Sequence, residues 1–81
     1  MENKIALIGI IVKDIDNIPK LNSLLSEYGG DTIVARMGIP YRKRKINIIT
    51  ILVDAKEEII NVLFEKIKEI DGVYPKLNLI F

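Results

Sequence analysis

The chain has 81 residues, of which 49% are hydrophobic, and it contains no cysteine and no histidine. We therefore expect one small domain over residues 1–81, without disulfides or thiolate metal sites and without the commonest general base. The formal net charge is +1, so no overall field draws the chain to nucleic acid or to a membrane, and such a partner would need a local patch.

The first predicted element is a strand. Lys4 to Asp14 reads KIALIGIIVKD and is apolar at nearly every position, which is typical of a strand that is buried on both faces. The stretch has no basic leader of the kind that begins a signal peptide. No apolar run in the chain approaches the ~20 residues of a membrane helix. We therefore expect a cytoplasmic protein.

A helix follows, because the apolar period changes to that of a helical face. Asp16 is its predicted N-cap, and Gly29-Gly30 is its predicted end. Its apolar stripe consists of Ile18, Leu21, Leu24, Leu25 and Tyr28.

The second predicted strand begins near Thr32, with Ile33, Ala35 and Met37 expected on one face. Gly38 and Pro40 are expected to stop it. A basic run comes next, and we expect it to form the connection of a β-hairpin. Its residues are Arg42, Lys43, Arg44 and Lys45.

The last three predicted elements are a strand, a helix and a strand. INIITILVD (Ile46 to Asp54) is a second strongly apolar strand. Asp54 and Glu57 resemble a capping box at the start of the next helix, and Gly72 suits a left-handed residue after its end. Pro75 restricts the final strand to a sheet edge. The apolar stripe of this helix is Ile59 or Ile60, Leu63, Ile67 and Ile70.

This β-α-β-β-α-β order is that of the ferredoxin-like split unit. Right-handed crossovers place both helices on one face of a four-stranded antiparallel sheet. The predicted fold is therefore an α+β two-layer sandwich with strand order 4-1-3-2.

The sheet face without helices is unusually apolar. The two central strands do not alternate to polar residues, and soluble monomers rarely expose a contiguous apolar patch beyond ~300–600 Å². We expect a homo-oligomer, a dimer or tetramer, that assembles through the sheet. The alternative is an open face that simply tolerates its β-branched residues.

No catalytic constellation is present. Ser23 and Ser26 have no histidine to activate them, and no glycine-rich loop opens a helix to hold phosphate. The predicted central strands carry no aromatic residue, which argues against the RNA-recognition version of this topology. We expect no enzyme activity, no metal and no cofactor.

Two groups of residues are candidate binding sites. Asp14, Asp16 and Asn17 follow the first strand, where the N-terminal amides of the first helix open; the alternative for Asp16 is capping alone. The basic hairpin residues Arg42–Lys45, together with Arg36, could form a patch for phosphate or an acidic partner if oligomerisation brings several hairpin tips together. The alternative is a solvated tip whose charges discourage aggregation.

Four stretches of the chain resemble a known family of small regulators. They are Val12-Lys13-Asp14, Leu24-Leu25, Arg36-Met37-Gly38-Ile39-Pro40 and Ile70-Asp71-Gly72-Val73. The family is that of the iron-only hydrogenase system regulators, stand-alone domains related to ACT domains and to the C-terminal domain of nickel-responsive regulators. The resemblance covers essentially the whole chain and implies an ACT-like ferredoxin fold, self-association and a regulatory role.

The sequence departs from these relatives at two kinds of ligand site. Nickel-responsive regulators bind nickel with histidine and cysteine, which this chain lacks, so nickel sensing is not implied. The segment from Asp16 to Lys20 lacks the glycine that follows proline in the usual ACT loop, so amino-acid binding is not implied. Without a DNA-binding module, direct repression would require a partner protein.

Together, these observations predict a small, non-catalytic, self-associating regulatory domain that senses a small-molecule effector or docks a protein partner. The alternative from another class is a structural or interaction module without a ligand. A weaker alternative is binding of an anion or nucleic acid through the basic hairpin, although the net charge of +1 disfavours nucleic acid.

Overall fold

The computed structural model describes residues 2–81. Its strands and helices follow the predicted β-α-β-β-α-β order, with short 3₁₀ turns before the first helix and between the second and third strands. The elements are β1 (Lys4–Val12), a 3₁₀ turn (Ile15–Asn17), α1 (Ile18–Glu27), β2 (Ile33–Tyr41), a 3₁₀ turn (Arg42–Arg44), β3 (Ile46–Ala55), α2 (Glu57–Lys68) and β4 (Val73–Leu79).

The four strands form one antiparallel sheet in the order β2-β3-β1-β4. This confirms the predicted order 4-1-3-2, with β1 and β3 in the centre. Pro75 lies on β4, at an edge of the sheet as predicted. An edge position suits proline because its nitrogen cannot donate a ladder hydrogen bond.

The core lies between the sheet and the two helices. Alternate residues of β1, such as Ile8 and Ile10, are at most 1% exposed, and they pair with Ile51 and Ile49 on β3. The predicted helical stripes face these strands: Leu21 and Leu25 of α1 are buried, as are the residues that α2 and the turn after it contribute. Those residues are Ile60, Leu63, Ile67 and Ile70.

Strand β2 extends further than predicted. Gly38 and Pro40 do not stop it, because the strand runs through both of them to Tyr41. The prediction was wrong because β2 is an edge strand. Only one side of an edge strand has to satisfy the hydrogen-bond ladder, so a proline can lie within it.

An irregularity in the register of β2 also changes which side chains share a face. Ile33 pairs with Val53, whereas Ala35 pairs with Leu52, so Val34 is an extra residue between them. Val34 is 63% exposed. The prediction that Ile33 shares a face with Ala35 was therefore wrong, since a bulge of this kind reverses the alternation.

Neither helix begins with the predicted cap. Asp14, not Asp16, is an N-cap, and it caps the 3₁₀ turn; the N-cap position of α1 is Asn17. The N-cap of α2 is Lys56, and Asp54 remains in β3, where it pairs with Ile5. Both cap predictions were wrong because pairing with β1 keeps β3 extended to Ala55, and the 3₁₀ turn shifts the start of α1.

Within residues 2–81, no helix has both the length and the apolar character that crossing a membrane requires.

Candidate functional site

The loop after β1 brings its three predicted site residues together. The Asp14 Oδ1 atom accepts a hydrogen bond of 3.1 Å from the Asp16 backbone amide. The Asn17 side-chain amide donates to Asp14 Oδ2 at 3.4 Å and to the Asp71 carbonyl oxygen at 2.7 Å. The Asp14 carboxylate and the Asn17 amide therefore already connect this loop to the one between α2 and β4.

Gly72 closes the same contact from the other side. Its φ is 74°, a left-handed conformation that favours glycine, as predicted. A Cβ atom at this position would lie 2.5 Å from the Asp14 Cβ atom, and the Lys13 amide donates to the Gly72 carbonyl oxygen at 2.7 Å. The two loops thus form a tight structural joint. No group of three or more carboxylates in the described chain is arranged to hold a metal ion.

The helices leave one surface of the sheet uncovered, the open face. Residues that pair across strands point to the same side, so the register defines it. Its central residues are half-buried, while Met37 and Ile39 at the β2 edge are 59% and 51% exposed. The open face consists of Ile5, Leu7, Gly9, Ile11, Ala35, Met37, Ile39, Tyr41, Ile46, Ile48, Thr50, Leu52, Asp54, Tyr74, Lys76 and Asn78.

The two ends of the open face differ in charge. Asp54, opposite Ile5, marks one end. The other end lies beside the hairpin tip, where Lys13, Arg44 and Lys45 surround one cavity. The face is therefore mainly apolar on β1, β2 and β3, with polar residues at Thr50 and along the β4 edge (Lys76 and Asn78), an acidic residue at one end and several cations at the other.

The cavity at the basic end, called the basic cavity below, has a volume of about 510 Å³. Ile11, Ile46 and Tyr74 provide its apolar and aromatic lining, and its cations are Lys13, Arg44 and Lys45. The Lys13 Nζ atom lies 5.3 Å from the centroid of the Tyr74 ring, within the range of a cation–π contact.

The predicted basic residues do not all meet within a single chain. The Arg42–Arg44 segment forms the 3₁₀ turn, and Lys45 closes it with φ 55° and an amide hydrogen bond of 3.1 Å to the Arg42 carbonyl oxygen. Arg42 and Lys43 are not among the residues that line the basic cavity. Arg36 lies further along β2, where it donates to Asn22 Oδ1 at 2.8 Å.

Sequence reasoning missed two contributors to the basic cavity, Lys13 and Tyr74. A signal for both existed. Lys13 follows β1 two residues after Ile11, so it continues on the same face, and antiparallel pairing places Tyr74 of β4 opposite Ile11. The register between β1 and β4 depends on tertiary contacts, so apolar periodicity along the chain did not predict that Tyr74 lies opposite Ile11.

Comparison of the chain with known protein families and solved structures agrees with this architecture. A model of the TM1266-like family, described as "Iron-only hydrogenase system regulator, putative", matches residues 4–77. The chain belongs to this family. Its structure is similar to that of uncharacterized protein TM1266 from Thermotoga maritima, with a TM-score of 0.90 and 26% sequence identity, covering 99% of this chain and 100% of that chain. No curated protein matches the chain.

Membership in the TM1266-like family confirms the family resemblance seen in the sequence, and the structural likeness agrees with the ferredoxin-like topology. The family description is that of a regulator, which is the coarse class of function that the sequence predicted.

Proposed function

We propose that this protein is a non-catalytic regulatory domain that acts by self-association through the open face. The family description supports the regulatory part. The observation that carries the self-association is the apolar strip across three strands, where Leu7, Leu52 and Met37 lie on one uncovered surface.

The size of the open face supports a second copy as its occupant. Four strands about 4.8 Å apart and about eight residues long span roughly 500 Å² in projection. Because side-chain relief adds to the projected area, covering the whole face would approach the ~800 Å² per partner of a standard specific interface.

Charge favours one orientation of the second copy. If the two-fold axis lies in the interface and runs across the strands, the basic end of each protomer meets the Asp54 end of the other. An axis along the strands would instead place the cations of both protomers together, and like charges in an interface are unfavourable. We propose the first arrangement.

Light scattering of the wild type and two matched variants tests this proposal. Ile39→Lys places a charge on the open face, whereas Val62→Lys places the same charge on α2, where Val62 is 49% exposed. We expect a wild-type dimer at micromolar concentration, a monomeric Ile39→Lys variant and a dimeric Val62→Lys variant. A wild-type monomer would contradict the proposal, and so would equal loss of assembly in both variants.

Ligand binding near Asp14, Asp16 and Asn17 stays a prediction. A ligand there would have to bind beside hydrogen bonds that the loop already makes. Its test is an NMR titration, in which amide shifts clustered on this loop would support the site and shifts clustered elsewhere would contradict it.

A further inference from the structure

The basic cavity combines features that suit a small organic anion. Three cations line it, and no carboxylate among residues 2–81 does. Its volume of about 510 Å³ lies within the ~300–1,000 Å³ range of small-molecule sites. A bare inorganic ion would fill only a small part of that space.

We propose that the basic cavity binds a phosphate monoester that carries a planar ring, a ligand of the mononucleotide class. The phosphate would lie against Lys13, Arg44 and Lys45. The ring would lie on the apolar surface that Ile11, Ile46 and Tyr74 provide. The inference names a ligand class for the proposed regulatory function. The cavity is complete within one protomer, and because Ile11, Ile46 and Tyr74 also belong to the open face, the ligand and a second copy compete for this end of the face.

Charge selects phosphate over carboxylate. The three side chains carry three positive charges, which match a phosphate monoester of charge about −2 better than a single carboxylate. Arginine adds a planar fork that can donate two parallel hydrogen bonds to phosphate oxygens, while the two lysines act as point charges. The lining thus offers both geometric and charge recognition of one phosphoryl group.

The apolar part of the lining selects a ligand with a flat body. Tyr74 is 55% exposed, and an exposed aromatic ring beside aliphatic side chains provides a surface on which a base can stack. Ile11 lies between Ile48 and Tyr74 in the sheet, so this surface belongs to paired strands and not to a loop.

The cations are held by fixed backbone positions. The Lys13 amide donates to the Gly72 carbonyl oxygen at 2.7 Å, and the Lys45 amide donates to the Arg42 carbonyl oxygen at 3.1 Å. The Lys13 ammonium lies over the Tyr74 ring at 5.3 Å, so charge and ring are already adjacent. The backbone of both lysines is therefore fixed, while their exposed side chains have to be ordered by the ligand, and Lys13 has to move from the ring face on which a base stacks.

Isothermal titration with AMP, adenosine and inorganic phosphate separates the two halves of the proposed ligand. We expect AMP to bind at least about tenfold more tightly than either fragment, because it alone uses both parts of the lining. Lys13→Gln should weaken AMP binding by about tenfold through loss of a charge-assisted contact. Lys43→Gln, at the same tip but outside the lining, should leave it unchanged.

Further variants and probes make each outcome decisive. Lys45→Asn removes a charge while keeping a residue that tolerates the left-handed conformation, and it should also weaken AMP binding. Tyr74→Ser should bring the affinity for AMP down toward that for phosphate. Phosphate or adenosine binding as tightly as AMP would overturn the proposal, and so would equal effects of Lys13→Gln and Lys43→Gln.

Two more results would overturn it. The first is the absence of AMP binding at millimolar concentration; the second is duplex DNA bound more tightly than AMP, which would indicate a nucleic-acid surface. Light scattering on the same samples reports assembly separately. Titration of the Ile39→Lys variant tests the cavity without a second copy over it, because Ile39 does not line the cavity. An Ile39→Lys monomer that does not bind AMP would contradict only this inference, and a wild type that is monomeric without AMP but binds it would contradict only the proposed self-association.

Discussion

The two faces of the sheet are built from nearly the same residue types but have different surroundings. On the helix-covered face, Ile51 is 0% exposed. On the open face, Ile48 of the same strand is half-buried, and Ile39 beside it on β2 is 51% exposed. The comparison shows that isoleucine lines both sides of the sheet, while the two helices bury only one of them.

The largest expected effect is the difference in stability between one substitution on the helix-covered face and one on the open face. Ile51→Ala should destabilise the fold by about 2–5 kcal/mol, because it leaves a cavity in the core. Ile48→Ala should lower the free energy of unfolding by about 1 kcal/mol at low protein concentration, since its side chain is partly solvated in a single chain. Urea denaturation measures both. Equal losses of unfolding free energy at low protein concentration would show that the two faces are equally packed within a single chain.

The next effect concerns the joint between the loop after β1 and the loop before β4. Gly72→Ala should destabilise the protein by roughly 1–3 kcal/mol, because a left-handed φ disfavours a side chain and the new Cβ would meet Asp14. Gly30→Ala is the matched control, since a Cβ at Gly30 has no neighbouring heavy atom within 4 Å. Thermal unfolding of both variants tests this difference. Similar midpoints for the two variants would show that the joint is not closely packed.

The smallest effect probes the charge asymmetry of the open face. Asp54→Lys should weaken dimerisation several-fold and leave protomer stability nearly unchanged, because exposed ion pairs contribute only about 0.2–1 kcal/mol each. High salt should reduce the difference from the wild type by screening these charges. Sedimentation equilibrium at low and high salt measures it. A variant that dimerises as well as the wild type would argue against the proposed orientation.

The sequence predicted the elements and their order because each segment has a clear apolar period. The change from strand to helical spacing at Ile18, for example, marks α1 without tertiary information. Pro75 located an edge strand for a local reason, its missing amide hydrogen. These features depend on neighbours along the chain, which is why the fold could be derived.

The remaining features depend on contacts between distant segments. The bulge at Val34 and the extension of β3 to Ala55 follow from strand pairing. No local sequence signal contradicted the helix caps at Asp16 and Asp54, or the end of β2 at Gly38 and Pro40, that were predicted instead. The basic cavity depends on the meeting of Lys13, Tyr74 and the hairpin tip. Only the β1–β4 register brings the first two together.

Thiol reactivity as a function of protein concentration tests the central claim most directly, because the chain contains no cysteine of its own. Met37→Cys places a thiol on the open face, and Val62→Cys places one on α2; the parent side chains are 59% and 49% exposed. If a second copy covers the open face, the Cys introduced at Met37 should react more slowly as protein concentration rises, while the one at Val62 reacts at a constant rate. A constant rate at both positions would contradict the account.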